Sequence, residues 1–180
     1  TGDRVQWQVL ARQTGAAGKL QMGEYALAAD TSPRALLLAM RDGKVVRRMF
    51  TIVEGWNIRE LRAALKATPM LEQETAALDD AALMKALGHA GQHPEGRFLP
   101  ETYAWVRGDS DLDILKRAHR DMVKALDEAW SSRAEGLPLK DKDEALTLAS
   151  IVEKETGIAE ERPQIAGVFV RRLRSGMRLQ

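Results

Sequence analysis

No cysteine occurs in this 180-residue sequence, which excludes disulfides, thiolate metal sites and a cysteine nucleophile and leaves the redox compartment open. Histidine is scarce as well. His89, His93 and His119 are the only three, and they share no metal-ligand spacing, so neither a metal nor another cofactor is expected. Long apolar stretches are missing too: the longest uninterrupted run, Ala35 to Met40, is far short of the roughly 20 residues needed to span a bilayer. Charge of one sign does not dominate. Twenty-seven basic residues against 26 acidic ones leave +1, so no global field draws the chain to nucleic acid or anionic lipid. Aromatics are 5% of the chain, and Trp7, Trp56, Trp105 and Trp130 are so scattered that packing accounts for most of them.

What is present is a hydrophobic content of 44%, enough for a buried core in one compact domain or two small ones packed together. The chain opens on Thr1 and stops at Gln180 just after a helical pattern, which predicts a piece of a longer protein with any signal or anchor outside it. Charge is uneven only at the end. After Glu161 no acidic residue occurs, while Arg162, Arg171, Arg172, Arg174 and Arg178 follow. These arginines suit either contact with an anionic group, such as a peptide carboxylate, or an ordinary helix C-terminus whose dipole favours cations.

Along the chain, residues 3–12 have weak helical periodicity before a glycine-containing loop at 14–18, and Gln21 to Ala28 suits a short strand. Ser32 followed by Pro33 starts a helix that Asp42-Gly43 ends. Lys44 to Val53 reads as a strand, and Asn57 with Glu60 makes a capping box for a helix through Ala67. Glu72 to Leu87 is predicted helical. Three glycines and a proline over 88–96 then place a boundary near residue 90. Beyond it lie a long amphipathic helix capped by Ser110 and Asp113, a helix over 143–156 and another over 161–175. The class is α+β, with an α+β part over 1–90 and a mainly helical part over 91–180. The strand Phe50 to Val53, the Glu54-Gly55-Trp56-Asn57 turn and the following helix resemble the opening of a LysM module, a small βααβ glycan-binding fold.

The segment from Leu148 to Thr156 sets Glu153 and Glu155 near the end of an apolar helix, an unusual place for acids. At about 100° per residue the two side chains diverge by roughly 160° on opposite shoulders of the buried face, so one of them works alone. A half-buried glutamate loses solvation and holds its proton more tightly, as a general acid toward a glycosidic oxygen requires. The same burial fits a structural glutamate paired with Arg162 or Arg171.

The run Ala149 to Thr156, then Glu160-Glu161-Arg162-Pro163, Ala166 to Phe169, Arg172-Leu173 and Gly176 to Gln180 resembles the signature stretch of the MltG-type, YceG-like endolytic murein transglycosylases. A second stretch, Glu95-Gly96-Arg97-Phe98-Leu99-Pro100-Glu101-Thr102-Tyr103, resembles that family's other hallmark, with Arg97 where members often carry an apolar or aromatic residue. The resemblance implies that Glu155 is the catalytic acid and that Glu95, Phe98, Glu101, Thr102, Tyr103, Arg178 and Gln180 contact substrate. Arg178 and Gln180 begin a motif whose continuation lies outside this sequence.

The implied reaction cuts peptidoglycan strands between N-acetylmuramic acid and N-acetylglucosamine. Glu155 protonates the leaving oxygen and then activates the muramyl C6 hydroxyl to close a 1,6-anhydro ring. The resemblance also implies a parent protein anchored in the inner membrane, facing the periplasm and working beside peptidoglycan synthases. Two rivals stand beside it. One is a muramidase with Glu95 or Glu101 as second carboxylate; the other is a non-catalytic glycan-binding or scaffolding module.

Overall fold

A computed structural model describes residues 2–179, and Gln180 lies outside the described residues. The described chain runs α1 (Gly2–Gln13), α2 (Pro33–Arg41), β1 (Arg48–Thr51), α3 (Ile58–Ala67), α4 (Asp80–Ala86), β2 (Thr102–Trp105), α5 (Asp111–Ser131), α6 (Lys142–Glu155) and α7 (Arg162–Arg174), with a short 3-10 turn at Ala159–Glu161. It is an α+β fold. None of these helices is long and apolar enough to cross a membrane.

The caps fall where the sequence puts them. Ser32 accepts from the Ala35 N–H with Pro33 opening α2, Asn57 and Glu60 form a reciprocal capping box on α3, and Ser110 and Asp113 do the same on α5. Each satisfies backbone donors that a helix start otherwise leaves unpaired.

Strands β1 and β2 form an antiparallel pair with Phe50 opposite Tyr103 and Thr51 opposite Thr102. Together with the helices between them they make a β1–α3–α4–β2 unit that runs from Arg48 to Trp105 and so straddles residue 90. Its core holds Phe50, Leu65, Leu83, Tyr103 and Trp105 and continues into Ile114, Leu115 and Ala118 of α5. A second, smaller core joins Leu148 and Val152 of α6 to Phe169 of α7, with Leu179 packed against it.

Three expectations change. Gln21 to Ala28 is not a strand. Its backbone makes isolated bonds such as Gln21 N–H to Met40 O at 3.0 Å and Val46 N–H to Glu24 O at 2.8 Å, and Met22 is 97% exposed. Among the described residues no strand pairs with it, and Leu27 is exposed as well, so it buries no apolar strand face. The helix predicted over Glu72 to Leu87 is confined to α4, capped by Asp79. Upstream of it, Glu72 bridges to Ser110, and the N–H groups of Glu74 and Thr75 are taken by the buried Asp111 carboxylate, partners that no local pattern reveals. The strand predicted over Lys44 to Val53 is confined to β1, Arg48–Thr51, the four residues paired with β2.

Candidate functional site

Helix α6 starts at Asp141, whose side chain accepts from the Glu144 N–H at 2.9 Å, and carries Asp143 and Glu144 in its first turn and Lys154 in its last. Those charges suit the helix dipole at both ends. Thr156 ends it: the buried hydroxyl donates to Glu161 at 2.8 Å and accepts from the Ile158 N–H at 3.0 Å, fixing the turn into α7.

The last turn of α6 holds three consecutive charged side chains in different surroundings. Glu153 is half-buried and pairs with Arg162 at 3.0 Å. Lys154 donates through Nζ to the Gly55 carbonyl at 3.0 Å, joining α6 to the β1–α3 turn. Gly55 has φ +78, a left-handed conformation that glycine adopts without Cβ strain, in a turn closed by the Trp56 N–H to Val53 O bond. Glu155 is exposed, and among the described residues no hydrogen bond or ion pair engages it. The half-buried shoulder that the helix periodicity offers to either acid therefore belongs to Glu153. The glutamate–arginine pair anticipated from the sequence forms there as well.

A cavity of about 330 Å³ opens where the β1–α3 turn, the Glu95–Pro100 loop and α6 meet. Trp56, Phe98, Pro100, Met122 and Leu146 give it an apolar lining, while Glu54, Asn57, Glu95, Ser150, Glu153 and Arg162 bring polar groups to it. Such a mixture of aromatic faces and sparse polar groups is typical of small-ligand sites. Glu95 is held by the Ile58 N–H at the start of α3, 3.2 Å from its Oε2. Arg97 pairs with Asp143 at 2.7 Å and thereby fastens the same loop to the first turn of α6. Gly96 (φ +73) lies beside Leu146.

The sequence-derived site residues separate into groups. Glu95 and Phe98 line this cavity with Glu153 and Lys154; Phe98 is 6% exposed, so it presents little beyond its rim. Glu101, Thr102 and Tyr103 instead line a different groove, between β2 and α5, together with Arg117 and Asp121. Tyr103 is buried there and donates to the Leu99 carbonyl at 2.9 Å, and burial, helped by Asp121 and Glu101, pushes its hydroxyl up to about 12. The Thr102 hydroxyl is 2.9 Å from that of Thr51. Glu155 follows Lys154 on α6 but is not among the residues lining the cavity.

Arg178 is exposed beside Leu179, which packs near Leu148, Thr147 and Pro138. Leu148 precedes Glu155 by seven helical positions, roughly 10 Å along the axis. Gln180 lies outside the described residues. Trp56, one of the four scattered tryptophans, packs against the main core and also lines the cavity. Its position in a glycine turn immediately before the α3 cap leaves it half-buried, with part of the ring open to the cavity.

The model of the YceG-like family matches residues 2–180. The chain is 26% identical over 194 residues to an endolytic murein transglycosylase of Bacillus subtilis (strain 168), covering 97% of this chain and 52% of that protein. It is 36% identical over 87 residues to an endolytic murein transglycosylase of Streptococcus pneumoniae serotype 2 (strain D39 / NCTC 7466), covering 48% of this chain and 15% of that protein. The chain thus spans about half the length of the Bacillus relative and a smaller part of the Streptococcus one. Among solved structures, a YceG-like protein from Listeria monocytogenes shares the fold, with a TM-score of 0.51 and 24% identity over 98% of this chain and 63% of that one.

Proposed function

Since the chain belongs to the YceG-like family, we propose that it forms part of a peptidoglycan lytic transglycosylase that binds a glycan strand in the Trp56–Phe98 cavity and cuts it with Glu155. The single observation that supports this reading is that cavity, which brings the Glu95–Pro100 segment and the last turns of α6 together across some fifty residues of sequence. An aromatic and apolar lining with a polar rim suits a pyranose, whose faces are apolar and whose edge carries hydroxyl and acetamido groups.

In this reading the strand lies in the cavity and passes the end of α6. Glu155, which no described residue engages, protonates the oxygen leaving between N-acetylmuramic acid and N-acetylglucosamine in a transition state with oxocarbenium character. The resulting carboxylate then takes the proton of the muramyl C6 hydroxyl. That oxygen bonds to C1 and closes a 1,6-anhydro ring, so no water is consumed. Proton transfer of this kind contributes about 10² to 10⁴-fold, and the strand's positioning in the cavity supplies much of the rest. Glu95 and Phe98 contribute to the binding wall, whereas Glu101, Thr102, Tyr103 and Arg178 serve substrate only through stretches of strand beyond the cavity. The LysM-like character of the β1–α3–α4–β2 unit, a periplasmic location at the inner membrane, an anchor in the parent protein and partnership with peptidoglycan synthases belong to the same proposal.

One observation favours a second reading. Glu153 and Glu95 line one cavity, as the two carboxylates of a hydrolase do. Incubating wild type, Glu155→Gln and Glu153→Gln forms of the protein with uncrosslinked glycan strands, with products read by mass spectrometry, separates the readings. Internal cuts with 1,6-anhydro ends that vanish only in Glu155→Gln support the transglycosylase. Reducing ends that vanish in Glu153→Gln support the hydrolase. Absence of cleavage by any form, with binding retained, leaves a glycan-binding module.

A further inference from the structure

Two cavities adjoin across α6. The Trp56–Phe98 cavity of about 330 Å³ and an apolar one of about 540 Å³ between α6 and α7 share Ala149, Glu153 and Arg162 as lining residues. The Glu153–Arg162 ion pair therefore stands at the junction of a longer groove, one side carrying aromatic and polar groups, the other Leu148, Val152, Pro163 and Ala166. Arg162 is only partly satisfied there. Its Nη2 meets Glu153 at 3.0 Å, while its buried Nε has no hydrogen-bond partner among the described residues. A guanidinium is a planar fork whose Nε and Nη donors together match one carboxylate, so a single contact leaves much of its capacity unused. Of the arginines that crowd the C-terminal end of the sequence, Arg162 alone lines this groove.

We propose that Arg162 is a specificity-determining residue that takes a carboxylate carried by the bound glycan strand, and that Glu153 holds the guanidinium in place while the groove is empty. The inference rests on the reading that the groove receives a glycan. Peptidoglycan offers the required chemistry in two forms: the lactyl carboxylate of muramic acid on peptide-free strands, and stem-peptide carboxylates on intact ones. When either arrives it pairs with Nε and the neighbouring Nη, and Glu153 gives up its place. Glu153 is thus an internal competitor, and its removal acts opposite in sign to the removal of Arg162. The α6–α7 turn is also fixed by the Thr156–Glu161 hydrogen bond of 2.8 Å, which neither variant removes.

The test is titration calorimetry in a Glu155→Gln background that keeps strands uncut, with three probes: chitohexaose, which has no carboxylate; amidase-treated, peptide-free glycan strands; and peptide-bearing uncrosslinked strands. The expected result is tighter binding of at least one carboxylate-bearing probe than of chitohexaose. Arg162→Met lowers that affinity about tenfold, the size of one charge-assisted hydrogen bond, and so removes the preference over chitohexaose, whose own binding shifts far less. Glu153→Gln raises the same affinity. Whichever carboxylate probe carries the preference identifies the source. Equal binding of all three probes by the parent protein, or a preference that survives Arg162→Met, overturns the inference while leaving the glycan-binding reading intact. Loss of chitohexaose binding in Arg162→Met, with an unchanged melting temperature, also overturns it, since the arginine then serves the groove rather than the carboxylate. No binding of any probe overturns both.

Discussion

The Asp111 carboxylate, 1% exposed, accepts a 2.5 Å hydrogen bond from the Thr75 hydroxyl and further bonds from the N–H groups of Glu74 and Thr75. It also accepts from the Leu112 N–H at 2.8 Å. One side chain at the start of α5 thereby organises the whole approach to α4. Replacing it with alanine strands several buried donors, each with a desolvation cost. Asp111→Ala is expected to lower stability by about 3 kcal/mol and Thr75→Val by about 1 kcal/mol, read from urea denaturation of both variants. If Asp111→Ala melts like wild type, this network has no part in holding the α4 approach.

His119 is buried against His89, the ring centroids 3.9 Å apart and the planes 26° from parallel, with the Phe98 edge at 6.1 Å. Burial, with added repulsion from His89 and Arg97, pulls its proton affinity down from 6.5 to about 4. The unfolded chain therefore binds this proton first as the pH falls. Stability should be unaffected by His119 above about pH 6.5, decline between there and about 4, and level off below. Thermal melts across that window check it, and His119→Phe should flatten the slope.

Tyr103 gives the opposite limb. Its hydroxyl is held protonated up to about 12 rather than 10, so its contribution to stability is complete below 10 and is lost as the pH rises toward 12. Phenolate absorbance in the native protein should include one tyrosine ionising near 12 that disappears in Tyr103→Phe. That variant also loses the 2.9 Å bond to Leu99 and about 1 kcal/mol of stability.

Trp56, Glu95 and Glu101 separate the two surfaces. Trp56→Ala removes the largest side chain lining the cavity and should weaken chitohexaose binding about tenfold, whereas Glu101→Ala, on the groove between β2 and α5, should change it less than twofold. Glu95→Ala should weaken it by an intermediate amount and lower the melting temperature slightly, because it also releases the Ile58 N–H. Equal losses from Trp56→Ala and Glu101→Ala would assign the glycan to both surfaces.

Local chemistry made much of this protein legible. The caps at Ser32, Asn57 and Ser110 depend only on residues three positions away, and helices α5, α6 and α7 follow from periodicity within one segment. The roughly 160° between Glu153 and Glu155 is likewise a property of any α-helix, whose side chains advance about 100° per residue, and it separates their surroundings whatever they pack against. Tertiary structure decided which of the two acids is half-buried, because Arg162 arrives from the next helix and meets Glu153 alone. It also decided that the Glu95–Tyr103 segment serves two surfaces. The turn from loop into β2, set by pairing with β1 some fifty residues earlier, sends Glu95 and Phe98 to one side and Glu101 to Tyr103 to the other. Asp111 likewise overrides the helical pattern of 72–79, with partners about 36 residues away, as no short window of sequence can reveal. Hydrogen bonds closed within one turn are written in adjacent residues, whereas those closed across the fold depend on chain segments that only folding brings together.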